Sequence, residues 1–282
     1  AILLLERDVK SQLKVIDPVD GSVESLLPTG RGPGEAVTPW DLSVDAAGTL
    51  WVSDLATRKL ISFAIGGDGS FRFGGERKLQ SQFMRAMPFR DEETLILASS
   101  SSGNRMCVLD AAGAAVDTVG SFPYSDLLDK SVLRNSVFQS DLAVAHDGEV
   151  ILCCKSFNVI DVYAPDLSEC CRLVGPEPID VGVVARETPM GVMYAQKPFV
   201  KVFGGVAAGT GEFMVGYVGA YTEGSVAASE GAAKLLLFDR KGRPSKVFET
   251  PGPFRSFDVD WQNRNVYILT SDEAARVEVY GF

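Results

Sequence analysis

Short apolar strands separated by polar, glycine-bearing turns recur from one end of the chain to the other, and this spacing constrains the fold more than any other feature. SVDAAGTLWVSD (43–54), AVAHDGEVILCC (143–154) and DVDWQNRNVYILTS (258–271) share one pattern of strand, polar turn and strongly apolar strand. PFRDEETLILAS (88–99) and GVAAGTGEFMVGYV (205–218) follow it more loosely. A second class of hairpin comes one strand later: KVIDPVDGSVES (14–25), FAIGGDGSFRF (63–73), CVLDAAGAAVDT (107–118), VYAPDLSECCR (162–172) and LFDRKGRPSKV (237–247). Asp, Asn and Gly at these turns supply the backbone angles that tight hairpins demand. Helical periodicity is confined to SDLLDKSVLRNSVF (125–138), where the apolar spacing predicts one short helix inside a long connection.

Aligning the two classes of turn yields a repeating unit, a four-stranded antiparallel meander. Six units are expected. The first has strands near 2–5, 12–17 and 22–27, and the others span about 40–82, 83–139, 140–197, 198–253 and 254–282. The first lacks an inner strand and the last an outer one. Four-stranded sheets repeated around an axis bury both faces of each sheet, which suits the uniformly apolar middle strands LWVSD, LILAS, VILCC, FMVGYV and VYILTS. The expected fold is therefore all-β, a six-bladed β-propeller of four-stranded antiparallel blades forming a single domain over 1–282. With 282 residues, 46% of them hydrophobic, the chain can bury such a core.

GRGPGE (30–35) raises the question of a phosphate-cradling loop. Such a loop follows a strand and opens a helix whose N-terminus completes the anion site. Here the glycines lead to Pro39 and an apolar strand, and no Lys-Ser or Lys-Thr pair follows, so the segment is read as a connector between blades. The stretch GRGPGEAVTPWDLSVDAAGTLWVSDLATRKLISF (30–63) resembles an NHL-type repeat, through Gly30, Gly32, Gly34, Pro39, Asp45, Gly48, Trp51, Val52, Asp54, Arg58 and Leu60. Its GxGPxE beginning is similar to the TolB-like six-bladed propellers of Gram-negative envelopes. The resemblance covers about one blade. It implies a propeller fold, and an exported or lipid-anchored protein, without implying a reaction.

Long insertions fall at 121–139, 176–199 and 219–233, all expected on the face that also receives the starts of the inner strands. Long loops on a rigid scaffold commonly carry function. The candidate ligand-binding residues at that mouth are Trp40, Asp41, Arg85, Asp141, Lys201 and Arg255, with Asp41 and Asp141 in matching positions of WDLSV and SDLAV. They either form a polar pocket for an axial ligand or satisfy one another. The partner expected at this face is a protein, a peptide or a glycan.

Other chemistry is weighed and mostly set aside. A formal net charge of -10, with no run of Lys or Arg longer than two, excludes nucleic acid as the expected partner. The single histidine, His146, lies in the turn AHDGEV, away from the insertions, which argues against histidine-dependent lyases and nucleophilic triads. A metal-dependent hydrolase or lactonase is the alternative, with Asp41, Asp141 and Glu35 offering oxygens. No Asn stands at a matching strand start, and no metal or other cofactor is expected. DPVDGS (17–22) and GGDGS (66–70) echo calcium loops but lack the following ligands, and are read as turns. Cys153–Cys154 and Cys170–Cys171 fall two strands apart, too far for one zinc ion or a disulfide, so with Cys107 they are read as packed free thiols. Free thiols speak mildly against an oxidising compartment. No stretch is long enough to span a membrane. The first residue, Ala1, is compatible with a leader, with or without a lipid anchor, removed ahead of it. The expectation is a non-catalytic binding or scaffold propeller in the periplasm or at the cell surface.

Overall fold

Alternating apolar strands with Asp- and Gly-bearing turns drives consecutive antiparallel pairing. The computed structural model describes residues 1–6, 10–98, 104–122, 138–175, 183–188, 191–196, 200–221, 232–270 and 276–282, and among them every regular element is a β-strand. They divide into two compact units, Ala1–Gly120 and Ser121–Phe282.

The first unit begins with a three-stranded sheet of β1 (Ile2–Leu5), β2 (Ser11–Ile16) and β3 (Val23–Pro28). Next comes a four-stranded sheet of β4 (Pro39–Val44), β5 (Leu50–Asp54), β6 (Lys59–Ile65) and β7 (Phe71–Lys78). The third sheet holds β8 (Phe83–Pro88), β9 (Thr94–Ala98), β10 (Asn104–Leu109) and β11 (Ala115–Ser121). In the second unit a four-stranded sheet contains β12 (Ser140–Val144), β13 (Val150–Cys154), β14 (Val159–Tyr163) and β15 (Glu169–Val174). A hairpin of β16 (Val183–Thr188) and β17 (Gly191–Gln196) follows. A six-stranded sheet completes the unit, with β18 (Val200–Gly209), β19 (Glu212–Tyr221), β20 (Ala232–Asp239), β21 (Pro244–Asp260), β22 (Asn265–Thr270) and β23 (Val277–Gly281).

Within each unit the first strand of one sheet lies against the first strand of the next, β4 against β8 and β12 against β18. This is the blade arrangement of a β-propeller. The core sits between blades. Leu13 and Leu27 of the first sheet meet Leu50, Val52, Ile61 and Phe63 of the second, and Ile151, Cys153, Ile160 and Val162 meet Val202, Phe203, Phe213 and Val215. Strands β13 and β14 are buried along their whole length, as middle strands covered on both faces must be.

Among the described residues five blades are present rather than the expected six. The segments expected as a fifth and a sixth blade form one continuous sheet, because β21 runs unbroken for 17 residues. Phe254 pairs with Ala232 of β20 on one side and with Thr270 of β22 on the other, so no break separates the two halves. Pro251 and Pro253, at the expected boundary, stay within the extended strand. The proposed helix at 125–138 lies outside the described residues except for Phe138.

The GRGPGE segment is a connector, joining β3 to β4. Its glycines make room for its own carboxylate: Gly32 N–H donates to Glu35 Oε2 at 2.7 Å, and a Cβ on Gly30 would lie 2.0 Å from that oxygen. The buried Lys59 Nζ donates to Gly32 O at 3.0 Å and pairs with Glu76 at 2.6 Å, while Gly34 N–H donates to Glu76 Oε1 at 2.8 Å. The Gly32 and Gly34 N–H groups thus face carboxylates of the chain itself, and Gly30 N–H donates to Ala36 O at 3.0 Å. Just beyond, the fully buried Asp54 accepts Val37 N–H at 3.1 Å, Thr38 N–H at 2.7 Å, Ala56 N–H at 3.3 Å and Thr57 Oγ1–H at 2.5 Å, clamping the connector to the turn after β5.

Candidate functional site

The starts of the inner strands share a register set by their hairpins. Counting back from each turn, Asp41 opposes Ser53, Arg85 opposes Leu97 and Asp141 opposes Cys153, each in the fourth pair. The matching of Asp41 and Asp141 read from WDLSV and SDLAV therefore holds, and Arg85 joins them. A bulge interrupts the ladder beside Asp41, between Pro39 and Asp41, and recurs between Phe83 and Arg85 and between Phe254 and Ser256. The extra residues are Trp40, Met84 and Arg255. Trp40 and Arg255 thus occupy one kind of position, the bulge, and Asp41, Arg85 and Asp141 another. Bulges bend a strand and re-aim side chains near the ends of sheets.

In the first unit, the bulge turns Asp41 toward the next blade, where its Oδ1 forms an ion pair with Arg85 Nη1. Asp41 is buried and Arg85 is 19% exposed, so the carboxylate holds the guanidinium from beneath. The buried Ser53 hydroxyl accepts Asp41 N–H at 3.2 Å. Asp41 Oδ2 is buried without a hydrogen-bond partner among the described residues.

The second unit repeats the device with different partners. Asp141 Oδ1 pairs with Lys155 Nζ at 3.1 Å, and Oδ2 accepts Gly205 N–H of β18, in the next blade, at 2.9 Å. The backbone reinforces the crossing, since Val202 N–H donates to Lys155 O at 2.7 Å. In both units the carboxylate at the start of one inner strand reaches the inner strand of the next blade. Lys155 was not singled out in the sequence. Its signal was a lone cation closing the apolar strand VILCC, in register with the start of β12.

Arg255 is exposed on β21. Lys201 lies in β18, and its side chain is outside the described residues. Of the three insertions, most of 121–139, 176–199 and 219–233 also lies outside them, with the hairpin β16–β17 described within the second.

The remaining chemical candidates resolve into local structure. His146 is exposed in its turn. Asp17 Oδ1 accepts Val19 N–H at 2.7 Å and Asp20 Oδ1 accepts Ser22 N–H at 2.8 Å, so DPVDGS spends its carboxylates on its own turn. Asp68 does likewise with Ser70. Cys107, Cys153 and Cys154 are buried, and Cys171 is half-buried. Among the described residues no three His, Cys, Asp or Glu side chains converge as metal ligands. On the turn joining β12 to β13, Arg240 of the neighbouring blade pairs with Asp147 at 2.8 Å and with the buried Glu149 at 3.1 Å. Burial pushes the Glu149 carboxyl above its ordinary value, and Arg240 offsets part of that rise.

No known family and no curated protein matches the sequence of this chain. Solved structures do match in fold. A protein of unknown function from Desulfotomaculum acetoxidans aligns at a TM-score of 0.53 and 10% identity, over 99% of this chain and 74% of that one. A Lactobacillus plantarum protein aligns at 0.50 and 14% identity, over 99% and 79% of the two chains. A Bacteroides fragilis protein named as exported aligns at 0.50 and 13% identity, over 96% and 79%. At such identities the likeness concerns the fold alone.

Proposed function

We propose that the chain is a non-catalytic binding propeller of the bacterial cell envelope, of the NHL-like or TolB-like kind. Its ligand contacts lie at the starts of the inner strands: Trp40 and Arg85 in the first unit, Lys201 and Arg255 in the second. Asp41 and Asp141 act there as positioning residues. The observation that carries this reading is the engagement of Asp141 at both oxygens, Oδ1 by Lys155 and Oδ2 by the Gly205 N–H, while Asp41 meets Arg85 through Oδ1. A general base needs a carboxylate free to take a proton, and a metal ligand needs one free to coordinate. A carboxylate beneath a partly exposed cation instead presents that cation, and cations held in place suit an anionic group on a protein, peptide or glycan. The reading includes export, a property that the name of the Bacteroides fragilis fold neighbour gives to that protein. Among the described residues no helix is long and apolar enough to cross a membrane.

The alternative, a metal-dependent hydrolase or lactonase, is separated by metal content. Dialysed protein analysed by mass spectrometry is expected to hold no stoichiometric divalent ion, and calcium, magnesium, manganese or zinc at a hundredfold excess is expected to leave the melting temperature unchanged. A resident metal would stabilise the folded state by about 2.7 kcal/mol at a hundred times its dissociation constant. Such a shift would replace binding with hydrolysis as the reading.

A further inference from the structure

The last strand of the second unit offers a docking edge. Two of the four-stranded blades are closed by outer strands guarded by charge. Arg72, Glu76, Arg77 and Lys78 line β7, and Glu169 and Arg172 lie on β15. Past the register shift between Phe254 and Ser256 of β21 the sheet continues through β22 to β23, and the outer edge of β23 is unpaired among the described residues. It therefore stands where a fourth strand stands in the full blades. Its sequence, VEVYG, has high β-propensity, a single charge and neither Lys, Arg nor Pro, so it lacks the usual devices against strand addition. Val279 is 51% exposed and Tyr280 38%.

The ladder fixes which backbone groups face outward. Thr270 N–H donates to Arg276 O and Phe282 N–H donates to Arg264 O, both at 2.9 Å. The register between them runs without a shift, with Ile268 opposite Glu278 and Val266 opposite Tyr280. Antiparallel strands alternate their hydrogen-bonding direction residue by residue. Arg276, Glu278, Tyr280 and Phe282 thus turn their backbone groups to β22, and Val277, Val279 and Gly281 turn theirs to the free edge.

We propose that this edge pairs with the same edge of a second copy of the chain, antiparallel about a two-fold axis through Val279. The strand is complementary to itself in that register. Val279 meets Val279 of the second copy, Val277 meets its Gly281, and every outward N–H and C=O finds a partner. Glu278 falls opposite Tyr280 of the second copy, so no like charges are opposed and the Tyr280 hydroxyl has a carboxylate to meet. Within one chain the same two groups already bond, Tyr280 O–H donating to Glu278 Oε2 at 2.5 Å, and in the pair that bond is exchanged across the axis. The occupant is a second copy because the pairing needs no other chemistry than the strand itself supplies.

Sedimentation of the full chain over a concentration series tests this. The wild-type chain is expected to pass from monomer to dimer. Val279→Pro removes an N–H that faces outward and spares the β22–β23 ladder, so it is expected to keep the melting temperature while raising the dissociation constant at least about tenfold. Val279→Cys gives a second readout that does not depend on the proline variant folding. Paired strands place opposite Cα atoms about 5.5 Å apart, within disulfide reach, so oxidised glutathione should link Val279→Cys into covalent dimers and leave Val19→Cys, in the exposed turn between β2 and β3, monomeric. A wild-type chain that stays monomeric throughout overturns the proposal. So does a dimer that Val279→Pro leaves intact, or slow hydrogen exchange at the Val279 amide in the monomer, which would mean that another segment already covers the edge.

Discussion

At the scale of single residues, buried carboxylates do most of the organising. Asp54 is the clearest case, a fully buried side chain accepting three backbone N–H groups and one hydroxyl. Replacing it by Ala would strand the Val37 and Thr38 N–H donors beneath the connector. Asp54→Ala is expected to cost about 3–5 kcal/mol in urea unfolding; a loss below about 1 kcal/mol would show that water replaces the side chain. The position of Asp54 within the repeat was legible from LWVSD and its aligned neighbours. Its task was not, because the groups it accepts lie 16 and 17 residues earlier, in a segment that reads locally as a glycine-rich loop. The same holds for Glu35, which the sequence offered as a metal oxygen and which caps Gly32 instead.

At the scale of elements, strand positions followed the turn chemistry closely. The strands read near 2–5, 12–17 and 22–27 are observed at Ile2–Leu5, Ser11–Ile16 and Val23–Pro28. The turns close as their residues require, Gly48 taking φ +80° and donating to Asp45 O at 2.9 Å. Where the reading failed, at β21, the failure was physical. Prolines signal a break only where the strand needs their missing N–H, and a strand passing from one pairing partner to another does not need it at the crossover. Turns also join neighbouring blades, as Arg240 does by gripping Asp147 and Glu149. Because the folded-state pKa of Glu149 is raised, the folded protein holds that proton more tightly than the unfolded chain. Stability therefore rises as pH falls through the raised folded value toward the ordinary 4.5, and is lower above it. Glu149→Gln is expected to melt at or above the wild-type temperature at neutral pH, the difference closing on acidification toward 4.5. A variant less stable than wild type at neutral pH would show that the pairing with Arg240 outweighs the desolvation.

At the scale of the whole molecule, the all-β blade architecture was legible because it rests on local alternation repeated many times. The site was legible only in part. Matching positions along the chain revealed Asp41 and Asp141, but whether such residues face a ligand or one another depends on the next blade. The bulges that separate Trp40 and Arg255 from the Asp41 position leave no mark in composition. Asp141 ties β12 to Lys155 and to the Gly205 N–H, and is not a carboxylate held in reserve for catalysis or a metal. Residues kept for catalysis are commonly neutral or even stabilising to remove, whereas a buried partner to a cation and an N–H is not. The most direct measurement is the urea unfolding free energy of Asp141→Ala against wild type, without added metal. A loss of about 2–4 kcal/mol is predicted. Unchanged or increased stability would contradict the tie and return Asp141 to the candidates for chemistry.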